Sequence, residues 1–302
     1  MDRNPAEGRH GLFGRLRRAA PACAGSLFLA SGKGGTGKSV IAAALAYRFA
    51  ETGLRSVVFD ADFGVGNAHI LQGLTADLSV AHVVAGRIEL EDVAAIAPTG
   101  VRVIPGGSGV SGLGALSSVE LRLIARGMRW VEREADRIVV DGPAGVSDQA
   151  LLLGGCADLT VVVTTPDVTA MTDAYAWIKL ASARRRDTPL VLLVNRAREE
   201  GQATAVAERI RGVARRFLGL EVPFAGWIVE DPAVAESVAR RRPFSLSHPH
   251  AAATAALVRI AVGIEERIEA GGLGGGSFAE RLEGAVNSQE QAVAPPRPGV
   301  MA

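Results

Sequence analysis

Gly32-Lys33-Gly34-Gly35-Thr36-Gly37-Lys38-Ser39 (GKGGTGKS) lies between an apolar run, Leu27 to Ala30, and a segment of helical period, Lys38 to Glu51. Its spacing, GxxxxGK[ST] between a strand and a helix, is that of a loop that curls round phosphate. Glycines let successive N–H groups converge on oxygens, and the helix that follows adds the positive end of its dipole. Lys38 is placed to reach the β- and γ-phosphates, and the Ser39 hydroxyl to ligate Mg²⁺.

Outward from this loop, short β-branched or apolar runs alternate with longer helical segments, the pattern of parallel strands joined by crossover helices. Strands are expected at Leu27 to Ala30, Ser56 to Phe59, Val101 to Ile104, Arg137 to Val140, Leu159 to Thr164, Leu190 to Val194 and Ala225 to Val229. Runs as continuous as LTVVV and LVLLV belong to strands covered on both faces. Helices are expected at Lys38 to Glu51, Ser117 to Glu134, Thr169 to Ala183, Gln202 to Leu218, Pro232 to Arg240 and His250 to Ile268. The fold class is therefore α/β, a doubly wound, mostly parallel sheet with helices on both faces, and a ligand outside the carboxyl ends of the strands.

One such domain occupies residues 25–270. Residues 1–24 form an extension in which Leu12, Phe13, Leu16, Ala19 and Ala20 share one helical face and Arg15, Arg17 and Arg18 the other. Residues 271–302 open with GGLGGG and close with PPRPGVMA, and are expected to stay without structure because large apolar groups are sparse. The balance of 33 Lys plus Arg against 32 Asp plus Glu gives no global pull toward nucleic acid or an acidic membrane, so any such attraction is local. Cys23 and Cys156 stand alone, without a CxxC, which argues against a metal centre, an iron–sulfur site or a disulfide framework. No apolar run reaches the ~18 residues of a membrane span, and a cytoplasmic location is expected.

Two further acid clusters complete the chemistry. Asp60-Ala61-Asp62-Phe63-Gly64 follows the second strand with its carboxylates at i and i+2, on one strand face or loop edge. Arg137 to Gly145 (RIVVDGPAG) is an apolar strand ending in Asp141, the residue expected to hold Mg²⁺ through water. Leu190 to Arg196 (LVLLVNR) ends in Asn195, whose amide can offer a donor and an acceptor to a base, and no NKxD pattern follows it.

Taken together, these pieces resemble the MinD/ParA family of P-loop ATPases. KGGxGK[ST] is similar to that family's deviant Walker A, in which the first lysine, here Lys33, reaches the partner's nucleotide across a dimer interface. The resemblance implies a homodimer with ATP sandwiched between the copies, hydrolysed to ADP. It implies that Asp62 orients the attacking water, that Asp60 supports the Mg²⁺ shell or the lysines, and that Gly142 to Gly145 form switch II. It assigns Gly34, Gly35, Thr36, Gly37, Lys38 and Ser39 to the phosphates. Asn195 falls to adenine, with Val229, Glu230 and Asp231 closing the other side. Asp60 to Leu74 (DADFGVGNAHILQGL), with His69 where Asp is usual, and the later GWIVEDPAV and RPF pieces are similar to the flagellar-number branch, FlhG or FleN. That branch implies an FlhF-like GTPase or flagellar components as partners. No DQA-type motif precedes the loop, and the acidic Ser277 to Val286 stretch is a poor match to anionic lipid. The basic face of Leu12 to Ala20 suits an anionic membrane or an acidic groove better. A ParA-like action on DNA, through Arg184 to Arg186 and Arg240 to Arg242, is the alternative reading.

Overall fold

The structure, a computed structural model, describes residues 24–107, 116–271 and 276–293. The Leu12 to Ala20 segment lies outside the described residues. In chain order the first half runs β1 (Gly25–Ser31), α1 (Lys38–Glu51), β2 (Ser56–Asp60), α2 (Ala68–Leu71), α3 (Val80–Val84), α4 (Leu90–Val93), β3 (Ala95–Ile96), β4 (Arg102–Ile104), α5 (Ser118–Glu134) and β5 (Arg137–Ala144). The second half runs α6 (Asp148–Cys156), β6 (Leu159–Thr164), α7 (Val168–Arg184), β7 (Leu190–Ala197), α8 (Glu200–Leu218), β8 (Phe224–Val229), α9 (Pro232–Ala239), α10 (Phe244–Ser247), α11 (Ala252–Glu269) and α12 (Phe278–Val293).

The strands form one sheet in the order β3-β4-β2-β5-β1-β6-β7-β8. All pairs are parallel except β3 with β4, a two-residue antiparallel edge that the sequence pattern does not show. Alternation of side chains along a strand divides the core in two. Phe28 and Ala30 of β1 pack with α5, α6, α7 and α8, whereas Leu27 and Leu29 pack with α1 and α11. Helix boundaries follow local chemistry. Ser117 and Glu120 make a reciprocal capping box at the start of α5, with Ser117 N–H donating to Glu120 at 2.7 Å. Gly219, at φ 62°, ends α8 in a left-handed cap.

The tail is where the structure corrects the sequence reading. Within residues 271–302, expected to lack structure, Phe278–Val293 is a helix that buries Phe278, Ala279, Leu282 and Val286 on the α5 and α6 side of the sheet. Three of these recur every four residues and so form one stripe, and small neighbours let the helices approach. The start of α12 is held by its own Ser277–Glu280 pair, with Ser277 N–H donating to Glu280 at 2.9 Å, and from another helix, where the buried Glu132 of α5 accepts the Ala279 N–H at 3.0 Å. Arg129 pairs with Glu283, and Arg281 donates to the Cys156 carbonyl and to Asp158 at 2.7 Å each.

Candidate nucleotide site

Strand β1 is central, between β5 and β6, and delivers the loop 32–37 to the carboxyl edge of the sheet. Two of its glycines need their freedom: Gly35 and Gly37 stand at φ 82° and 87°. A Cβ on Gly32 would sit 2.3 Å from the Asp173 carbonyl of α7, so only glycine lets the loop lie against that helix. Helix α1 begins at Lys38 with no side-chain cap and no acid in its first turn. Its first N–H groups and dipole therefore face the loop, which suits an anion. The buried Thr36 hydroxyl has no partner within the protein, an orphan that a phosphate or its bound cation would satisfy.

Lys38 is buried, with Nζ 3.0 Å from Asp141 Oδ1. Asp141 lies beside Asp60 in the β2 to β5 register, so two buried carboxyls are neighbours. The lysine neutralises one of them. Burial first, and the Asp141 charge second, hold the Asp60 carboxyl well above the usual carboxylate range. Asp60 accepts the Asp62 N–H at 3.1 Å and the Ala68 N–H at 2.9 Å. Through these bonds Asp60, expected to support Mg²⁺ or the lysines, organises the loop between β2 and α2. The close approach is enforced by Gly66, whose Cβ would fall 2.5 Å from Asp60 Oδ2. Asp62 is half-buried on the same loop and accepts the Val65 N–H at 3.1 Å.

Asn195 reaches the loop rather than standing clear of it: its Nδ2 donates to the Thr36 carbonyl at 2.8 Å. One of its two amide N–H donors, expected to meet adenine, is thus committed to holding the phosphate loop, which leaves the second N–H and the carbonyl oxygen for a base. Glu230 pairs with Arg196 at 2.9 Å. Asp231 is a helix cap, accepting Ala233 N–H of α9 at 2.9 Å and Ala253 N–H of α11 at 3.1 Å. Each of its carboxylate oxygens thus carries one cap bond, which ties the start of α9 to that of α11.

The residue that sequence reasoning missed is Asp167. As the N-cap of α7 it accepts the Ala170 N–H, and it also takes the Lys33 ammonium at 2.9 Å. Lys33 donates to the Thr169 hydroxyl as well. The Thr169 hydroxyl and the Lys33 ammonium hold the Asp167 carboxyl well below the ordinary range. The cap was legible in TTPDVT, but nothing local says that it meets a loop 134 residues earlier.

Ser39 in the first turn of α1 and Asp141 are the residues that would hold Mg²⁺. Among the described residues no three His, Cys, Asp or Glu side chains converge, so phosphate oxygens would have to complete its shell. When bound there, Mg²⁺ supplies positive charge against the β- and γ-phosphates.

A central parallel strand, a left-handed glycine loop, an uncapped helix and a buried lysine–aspartate pair define a P-loop nucleotide-binding protein. Residues 27–244 match the CobQ/CobB/MinD/ParA nucleotide binding domain, and the chain belongs to that family. It is a P-loop ATPase. The chain is 32% identical over 230 residues to the antiactivator FleN of Pseudomonas aeruginosa, covering 76% of this chain and 82% of the relative. Identity is also 32% over 260 residues to the flagellum site-determining protein YlxH of Helicobacter pylori, covering 84% and 88%. The fold is similar to septum site-determining MinD of Pyrococcus horikoshii complexed with Mg-ADP, at a TM-score of 0.66 and 22% identity, covering 80% of this chain and 96% of that one.

Proposed function

We propose that this protein is an ATP-dependent dimerising switch that sets the number or placement of flagella. The observation that carries the switch is Lys33. A loop lysine that served its own nucleotide would point into the cradle with Lys38. Lys33 instead turns to Asp167 and Thr169 at the start of α7, with about a third of its side chain exposed. It is free to be exchanged onto a partner's phosphates. Val65 and Val168, beside Asp62 and Asp167, are 67% and 70% exposed and give the same mouth apolar surface for a second copy.

Within each copy the chain's own groups divide the work. The loop N–H groups and Lys38 bind and orient the phosphates. Asp62 would orient the attacking water, and Gly142 to Gly145, the end of β5 and the residue after it, would register whether γ-phosphate is present. Gly145 closes it back on the phosphate loop, donating its N–H to the Ser31 carbonyl at 3.0 Å.

The flagellar output rests on the two relatives, the antiactivator and the site-determining protein, each matched over most of its length. An FlhF-like GTPase or flagellar components are the partners this reading implies, with peripheral contact to an anionic membrane through residues 12–20. Sedimentation velocity with ATP and with ADP tests the switch. Wild type should dimerise with ATP only, Lys33→Ala should bind ATP but stay monomeric, and Asp62→Ala should accumulate as the ATP dimer with hydrolysis lost. A Lys33→Ala protein that dimerises and turns over normally would remove the reading.

A further inference from the structure

Strand β7 pairs with β8 in parallel, but the register slips between Asn195 and Ala197. The residue left over, Arg196, stands at φ 58°. An L side chain in that region is costly and persists only where its surroundings hold it, and glycine or asparagine would fill the position more easily. The bulge is held on two sides. Glu230 donates its N–H to the Ala197 carbonyl at 2.9 Å, and its carboxylate takes the Arg196 guanidinium through Nη2 at 2.9 Å and Nε at 3.3 Å.

Bulges beside sites serve to re-aim a side chain. Here the preceding residue, Asn195, is the strap on the Thr36 carbonyl, so the guanidinium is fixed one residue from the phosphate loop. The ion pair uses the edge of the guanidinium, which leaves its flat face uncommitted. Both partners are about half exposed at the crevice mouth, at 57% and 49%. A planar cation with an open face is suited to stacking on an aromatic ring.

We infer that Arg196 is a specificity-determining residue whose guanidinium, held on edge by Glu230, stacks on the purine ring of the nucleotide. The inference rests on the assignment of loop 32–39 as the nucleotide site. Adenine would then be gripped by stacking from Arg196, with the Asn195 carbonyl oxygen at its edge, while the loop alone grips the phosphates.

Calorimetric titration of full-length protein with ATP, CTP and inorganic tripolyphosphate tests it. Arg196→Gly suits the left-handed position, so the bulge and the fold survive while the stacking plane is lost. It should bind ATP about 5- to 20-fold more weakly, with tripolyphosphate affinity unchanged and the preference for ATP over CTP narrowed. Arg196→Lys, charged but not planar, should fall between. Unchanged ATP affinity in Arg196→Gly, or equal weakening of ATP and tripolyphosphate, would overturn the stacking role. Wild type that binds neither ligand would instead remove the nucleotide site itself.

Discussion

The chemistry of single residues is governed by which partner each charge has. Lys38 and Asp141 are buried and satisfy one another, so removing the lysine strands a buried carboxylate as well as emptying the phosphate cradle. Lys38→Ala should lose ATP binding by calorimetry, and should cost about 3–5 kcal/mol of stability in urea where Asp141 stays ionised. Undiminished affinity would reassign the loop. Much of this was legible because GKGGTGKS and RIVVDG carry their roles in local spacing. Asn195 was legible only in part, since the strand end announced an amide but not that one of its donors would be taken by Thr36, 159 residues away. Asp167 shows the same limit: a helix cap is a local signal, and its second bond to Lys33 is a product of folding.

Among the elements, α12 is the one the sequence hid. Phe278, Leu282 and Val286 are only three large apolar groups in an acidic stretch, and their stripe becomes worth burying only where α5 and α6 have built a matching surface. The cap is only partly local: Ser277 and Glu280 bond reciprocally at the start of α12, and Glu132 adds from α5 an acceptor for the Ala279 N–H. Burial pushes the Glu132 carboxyl up, against the opposing pull of hydrogen bonds from Ser277, Ala279 and Phe278 and the charge of Arg281. The folded protein therefore holds this proton more tightly than the unfolded chain, and the group's contribution to stability falls as pH rises from about 4.3 through the raised folded value. Glu132→Gln keeps an acceptor without the charge and should show a flatter dependence of urea stability across this window, with no loss at pH 7. Glu132→Ala leaves the Ala279 N–H unpaired and should cost about 1–3 kcal/mol. Identical pH profiles for wild type and Glu132→Gln would show that this carboxyl does not titrate with folding.

At the level of the whole molecule, the mostly parallel sheet and both helical layers follow from alternating strand and helix periods around one phosphate loop, whereas the order of the strands is seen only in the structure. The antiparallel edge strand Ala95–Ile96 does not, because two residues carry no period. Among the described residues no helix is long and apolar enough to cross a membrane, and α12 turns its apolar face inward. In the proposed membrane contact through residues 12–20, Leu12, Phe13 and Leu16 would offer about 1.5–3 kcal/mol each on burial and three arginines would add roughly 1 kcal/mol each on anionic lipid. One copy would then bind weakly, and two joined by ATP would gain by multivalency. Deleting Met1 to Ala22 should leave ATP-dependent dimerisation intact and abolish ATP-dependent sedimentation with anionic vesicles. Equal sedimentation of truncated and full-length protein would place the anchor elsewhere.

The Lys33–Asp167 pair also fixes how assembly responds to electrolyte. In the proposed switch each copy that joins a partner would give up one ion pair to make another, so the count of ion pairs would not change, and screening would weaken reactant and product alike. Dimerisation with ATP should therefore vary less than about tenfold between roughly 0.05 and 0.5 M KCl. Asp167→Asn, which keeps an oxygen for the Ala170 N–H but has no ion pair to surrender, should associate more tightly in dilute buffer and weaken more steeply as KCl is added. An enzyme built this way keeps its assembly threshold steady while the cell's ion content drifts.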